Sequence, residues 1–237
     1  ATLTGLLTAS TQAGEQAYLV PDGGADAGPA AQDVALTALR SVAEELGTAA
    51  LGRVRHRLVV THPVTAEDRA FLAAAGVSAT VVPDADGVLH APVASLLADA
   101  VTVCLGAGPA GDPWAAVRSA LSHPDPDERI SARSAFAAAT RTPLRALPDA
   151  PAARLSVAPR LSVSAPAVFG VWDADAVAVQ SPDGRVAAWS TDTRAGTPLL
   201  PALDAETALP RWRATWVDGR IAAEDVARDA HDAATPA

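Results

Sequence analysis

Four strand-length apolar runs limit what this chain can fold into. They are Glu15 to Val20, Arg57 to Thr61, Ser78 to Val82 and Val101 to Leu105. All are short, rich in β-branched residues and bounded by turn formers. Helical patterns fill the gaps. Leu3, Leu6 and Leu7 mark a helix over Ala1 to Ala13. Val34, Ala35, Ala38, Leu39, Val42 and Leu46 make one stripe over Pro29 to Gly47, which the glycine closes. Thr65 and Asp68 form a variant capping box for a helix that buries Phe71 and Leu72 and stops at Gly76. Pro92 to Ala100 reads as a short helix. Strict alternation of strand and helix predicts a parallel sheet with right-handed crossovers. A doubly wound open sheet and half of a (β/α)8 barrel both fit, and periodicity does not choose between them.

The last run feeds a glycine-rich turn and then a helix. Asp112 suits the N-cap and Pro113 the first helical position, with Trp114, Val117 and Leu121 at helical spacing. A second helix starts at Ser131 and runs through Phe136 to Thr140. The turn, Gly106-Ala-Gly108-Pro-Ala-Gly111, satisfies the G-x-G-x-x-G pattern of dinucleotide sites. Its chemistry argues otherwise. Asp112 puts a carboxylate where a pyrophosphate would sit, and Pro109 and Pro113 remove two N–H donors from the cradle. No second strand ending in an acid follows at ribose-binding distance.

Beyond Leu147 the pattern changes. Pro148 to Pro159 is a Pro/Ala-rich connector. Val168 to Asp173, Val177 to Gln180 and Arg185 to Trp189 read as short strands, the last two joined by the turn Ser181-Pro-Asp-Gly184. Trp212 to Val217, Asp218-Gly219 and Arg220-Ile221 read as a hairpin. Trp172, Trp189, Trp212 and Trp216 are expected to form the core of this part, because large aromatics dominate burial. His231 falls in a polar tail. The expected domains are therefore 1–147 and 148–237.

Composition removes several function classes. A formal net charge of −9 and a pI near 4.9 argue against nucleic acid or an anionic membrane as partner. No apolar run is long enough for a membrane span. The single cysteine, Cys104, excludes an internal disulfide and is expected to be a small buried hydrophobe. Every basic residue is Arg. The start lacks a basic segment followed by an apolar core, so no signal peptide is expected. A chain that begins at Ala1 and contains no Met reads as a fragment or a processed product.

DPWAAVRSAL followed by DERISARSAFAAATR resembles the end of the barrel in the amidohydrolase superfamily. The branch it is most similar to is that of the large bacterial amidohydrolases, which includes N-substituted-formamide deformylase. AVFGVWD, DGRVAAWS and ATWVDGRIAAED resemble the small C-terminal β-domain of the same family. The resemblance implies an α/β fold in which 1–147 supplies strands five to eight of a TIM-like barrel, followed by a small β-sandwich-type domain. It implies hydrolysis of non-peptide C–N bonds by a water bound to zinc or another divalent metal.

It also says where the ligands belong. Strands five and six would each give a His and strand eight an Asp. Those positions hold Leu19, Val60 and Gly108, none of which binds a metal. His62 and Asp22 are substitutes by proximity, and Asp84 and Asp86 follow the third strand at the expected rim. His56 is expected to pack beside the strand entry, while His90 and His123 carry no assigned role. No Ser-His-Asp arrangement or G-x-S-x-G elbow is present. The expectation is thus a cytoplasmic, amidohydrolase-like pseudoenzyme with no catalytic residue, no metal ligand set and no cofactor of its own. Two alternatives stand beside it. One is a non-catalytic binding or scaffold module. The other is a hydrolase completed by an N-terminal partner half. Open sheet edges make such a half, or a second copy, the expected partner.

Overall fold

The computed structural model describes residues 2–21, 28–148, 163–180, 189–190 and 199–225. The chain divides into two compact units, Ala1–Ser156 and Val157–Ala237. The connector expected over Pro148 to Pro159 lies outside the described residues save for Pro148.

The first unit runs α1 (Leu3–Ala13), β1 (Tyr18–Leu19), α2 (Pro29–Leu46), α3 (Thr48–Val54), β2 (Arg57–Val60), α4 (Ala66–Ala74), β3 (Ser78–Val81), α5 (Val93–Ala98), β4 (Val103–Leu105), α6 (Pro113–Leu121), a 3-10 turn (Pro126–Glu128), α7 (Ala132–Thr140) and α8 (Thr142–Arg145). The strands form one sheet in the order β1-β2-β3-β4, with every neighbouring pair parallel. This is the expected α/β layout.

Alternation sorts the strand residues onto two faces. Leu19, Leu58, Val60, Ala79, Val81, Val103 and Leu105 share one, and each is at most 9% exposed. Burying each Leu or Val contributes about 1.5–3 kcal/mol. Tyr18, Arg57, Val59, Ser78, Thr80 and Cys104 share the other, which is mostly polar. His56, one residue before β2 and on the aliphatic side by alternation, reaches Thr11 of α1. The aliphatic face is therefore the one that α1 covers.

Local chemistry starts the helices as expected. Thr65 accepts from Asp68 N while the Asp68 carboxylate accepts from Thr65 N, a complete capping box. Asp112 accepts from Trp114 N and Ala115 N, and Ser131 from Ser134 N. Three expectations need correction. The first strand is two residues, not six, because the backbone before it is engaged elsewhere: Glu15 N donates to Ser10 O and Ala17 N to the His56 ring. Val34 is 60% exposed and leaves the stripe of α2, where Gln32 and Leu36 are buried instead. Helix α3 went unread. Gly47, at φ 85°, ends α2 and caps α3 at once, so no loop separates them.

The second unit holds β5 (Phe169–Asp173), β6 (Val177–Gln180), β7 (Trp189–Ser190), β8 (Leu200–Pro201), β9 (Arg211–Val217) and β10 (Arg220–Glu224). They form two three-stranded antiparallel sheets, ordered β10-β9-β5 and β7-β6-β8. The β9–β10 hairpin turns through Asp218 and Gly219 at φ 49° and 76°, as an Asp-Gly turn requires. The turn expected at Ser181 to Gly184 and the strand residues Arg185 to Ala188 lie outside the described residues, as does His231. The tryptophans correct the expected core. Trp172, Trp212 and Trp216 are only half-buried, and Trp189 has no described side chain. Along β9 no face is fully covered. Trp216 stacks on Phe169 across the strand pair at 5.8 Å, and Trp212 Nε1 donates to Thr215 Oγ1. The buried apolar residues described in this unit are the smaller Ala178, Ala202 and Leu203.

Candidate functional site

In a parallel sheet the loops leaving the C-terminal strand ends converge, and there a site is sought. Past β1, Val20 is 55% exposed, Pro21 is buried, and Asp22 lies outside the described residues. Leu19 itself points into the aliphatic face.

Val60 also lies on that face, at 0% exposure. The backbone beyond it belongs to Gln32 of α2. Gln32 Oε1 accepts from Thr61 N at 3.0 Å and His62 N at 3.2 Å, while its Nε2 donates to His62 O at 3.4 Å. A buried amide thus fixes the segment carrying His62, whose own side chain is half-buried. Sequence reasoning missed Gln32. Its signal was a polar residue in phase with Ala35, Leu36 and Leu39 on the apolar stripe.

After β3 the chain makes a tied loop. Asp84 Oδ1 accepts from Val88 N at 2.8 Å and Asp86 N at 3.0 Å, and Asp84 Oδ2 faces His90 Nε2 at 2.8 Å. The Val88 N–H foremost, with His90 and Asp86 after it, outweighs the opposing effect of burial and holds the Asp84 carboxyl below the ordinary range. Asp84 is therefore occupied by its own loop, and His90, given no role from sequence, is its partner. Asp86 contributes only a backbone N–H to that arrangement and is itself exposed.

After β4 comes Gly108, at φ 66°. A Cβ there would stand 2.7 Å from Pro83 O and 2.9 Å from Pro83 Cγ. Left-handed backbone disfavours a side chain, and the neighbouring loop leaves it no room. The same loop bears on the glycine-rich pattern. Asp112 already engages the first N–H groups of α6, which an anion would otherwise take.

Beneath the rim, His56 is fully buried between Thr11 and Ala17, and burial lowers its pKa. Cys104 is buried as expected. Burial raises its pKa against the opposing pull of Arg57, so it is no ready nucleophile. His123, unassigned from sequence, is 5% exposed and accepts from Asp125 N through Nδ1.

Among the described residues, no three His, Cys, Asp or Glu side chains are grouped to hold a metal ion. Aliphatic side chains at Leu19 and Val60 and a sterically closed Gly108 do not fit a divalent cation. No helix among the described residues is long and apolar enough to cross a membrane.

No family model and no curated protein matches the chain. Solved structures do. A variant of atrazine chlorohydrolase from Arthrobacter aurescens TC1, complexed with zinc and atraton, superposes with a TM-score of 0.57 at 16% identity, over 98% of this chain and 51% of that one. A triazine hydrolase variant gives 0.57 at 18%, over 97% and 50%. At such identity the likeness is one of fold. The chain spans about half the length of these enzymes, and over that half its fold is like theirs.

Proposed function

We propose that this chain is the C-terminal half of an amidohydrolase-like protein, carrying the last four strands of a (β/α)8 barrel and a small β-domain, and that its metal site has decayed. The carrying observation is Gly108, where Pro83 occupies the space a ligand side chain would need. Leu19 and Val60 carry no metal-binding group, and both lie on the face that α1 covers, away from the side on which barrel ligands project. The reading describes a protein kin to hydrolases of non-peptide C–N bonds that does not itself hydrolyse them. Kinship to the branch that includes N-substituted-formamide deformylase rests on the DPWAAVRSAL and DERISARSAFAAATR motifs. A cytoplasmic location belongs to the same proposal.

Metal analysis tests it. Protein produced with added zinc and then gel-filtered is expected to hold far less than one zinc per chain. Stoichiometric zinc that disappears in His62→Ala would overturn the reading.

A second reading has its own support. Both outer edges of the four-stranded sheet, at β1 and β4, lack a strand partner among the described residues. The fold neighbours are also about twice as long. A separate N-terminal half would cover those edges and bring the missing ligands. Inspecting the upstream coding sequence for a strand bearing His-x-His decides between the readings. Its presence, together with hydrolysis on co-expression, favours completion in trans.

A further inference from the structure

Consecutive carbonyls after the last helix of the first unit are gripped from far away in the chain. Arg55 Nη1 donates to Arg145 O at 3.0 Å and to Leu147 O at 2.9 Å. Gln16 Nε2 donates to Ala146 O at 2.6 Å and also to Arg55 O. Gln16 stands two residues before β1 and Arg55 two residues before β2. Both grips therefore sit at the N-terminal ends of the strands, opposite the rim described above. Helix α8 itself lies against β4. The stretch from Thr142 to Leu147 thus straps the sheet from β4 across to the starts of β1 and β2.

The stretch is otherwise weakly held. Helix α8 has four residues, none of them buried, and its N-cap Arg141 makes no side-chain capping bond. A single helical turn is unstable by itself. From Thr142 to Leu147 only Ala146 is fully buried. The last carbonyls of a helix have no partner within it, and here Gln16 and Arg55 supply one. Arg55 closes α3 at φ 51°, in the left-handed region where glycine is favoured. The backbone there calls for glycine, while the strap uses the arginine side chain.

We propose that Gln16 and Arg55 form a latch, and that residues 142–147 are a strap that opens as one unit by local unfolding while the sheet stays folded. Segments with little burial and few bonds populate the low end of local stability. Closed, the first unit is tied down through Leu147. Open, it is tied only as far as Arg141. The six residues released, about 20 Å of extended chain, then lengthen the run to Val157, where the second unit begins.

The test is limited trypsin digestion of the whole 237-residue protein under native conditions, with mass spectrometry for chains that begin at Ala146. Where reclosing outruns cutting, the rate reports the open population. Arg55→Gly is the deciding variant. It relaxes the left-handed backbone but removes two hydrogen bonds from the strap, so cleavage after Arg145 is expected to speed up about tenfold. Gln16→Leu is expected to speed it by a similar factor. In both variants, hydrogen exchange at the Ala146 and Leu147 amides quickens while exchange in β2 and β3 stays as in the wild type. If Arg55 served only to close α3, glycine would raise the Tm and leave cleavage after Arg145 unchanged, and that outcome overturns the latch. Cleavage that rises only together with exchange throughout β2 and β3 overturns the separate opening of the strap.

Discussion

His56 Nε2 lies 2.8 Å from Thr11 Oγ1, and that contact joins β2 to α1 through an otherwise apolar interior. Ala17 N donates to Nδ1 at 2.9 Å, so the ring proton sits on Nε2 and is donated to Thr11. The Thr11 hydroxyl passes its own proton to Leu7 O at 2.7 Å. All groups are matched when the ring is neutral. An added proton at Nδ1 would confront the Ala17 N–H.

The pH dependence of stability follows. Burial lowers the His56 pKa from its ordinary 6.5. Below pH 6.5 the unfolded chain therefore binds more protons than the folded one, and stability falls as pH drops toward the folded pKa. Urea unfolding at pH 7.5 and pH 5.5 is expected to show that loss, and His56→Phe should be less stable yet flatter over the same interval. Equal slopes for the two proteins would remove His56 as the cause.

Thr11→Val keeps shape and removes the acceptor for His56. A buried donor left unmatched costs about 1–3 kcal/mol. Denaturant titration should show a loss in that range, larger than for Thr8→Val, because Thr8 bonds Glu45 at an exposed position.

Gly108→Asp restores the residue type that kinship assigns to this position, yet it is expected to bind no zinc. Left-handed backbone costs about 1–2 kcal/mol for a residue with Cβ, and the collision with Pro83 O adds to that. Lower stability with unchanged zinc content supports the decayed-site reading. A stable variant that takes up zinc would count against it.

Gln32→Leu should free the segment after β2. Three backbone groups lose their partner at once. The expected loss is about 3 kcal/mol, with faster amide exchange at Thr61 and His62 than at Leu58. Unchanged exchange at those two amides would show that Gln32 does not hold the segment.

Asp112→Ala removes a side-chain cap from α6 and should cost about 1 kcal/mol. It should create no affinity for a dinucleotide, since Pro109 and Pro113 still lack N–H groups. Dinucleotide binding by this variant, followed by calorimetry, would reopen the glycine-rich motif as a phosphate site.

What the amino-acid order alone determined is what short range can decide. Thr65 with Asp68, Asp112 with Pro113, Ser131, and Asp218 with Gly219 act within a few residues, and each forms the cap or turn its chemistry predicts. Strand and helix alternation likewise settled the parallel sheet. Tertiary structure decided the rest, because burial and pairing depend on which distant segments meet. Only the fold brings Pro83 against Gly108, Gln32 beneath His62, and the Arg57 guanidinium over the Tyr18 ring. The tryptophans show the same limit. Hydrophobicity predicts that they seek cover, but strand geometry left Trp172, Trp212 and Trp216 half in solvent.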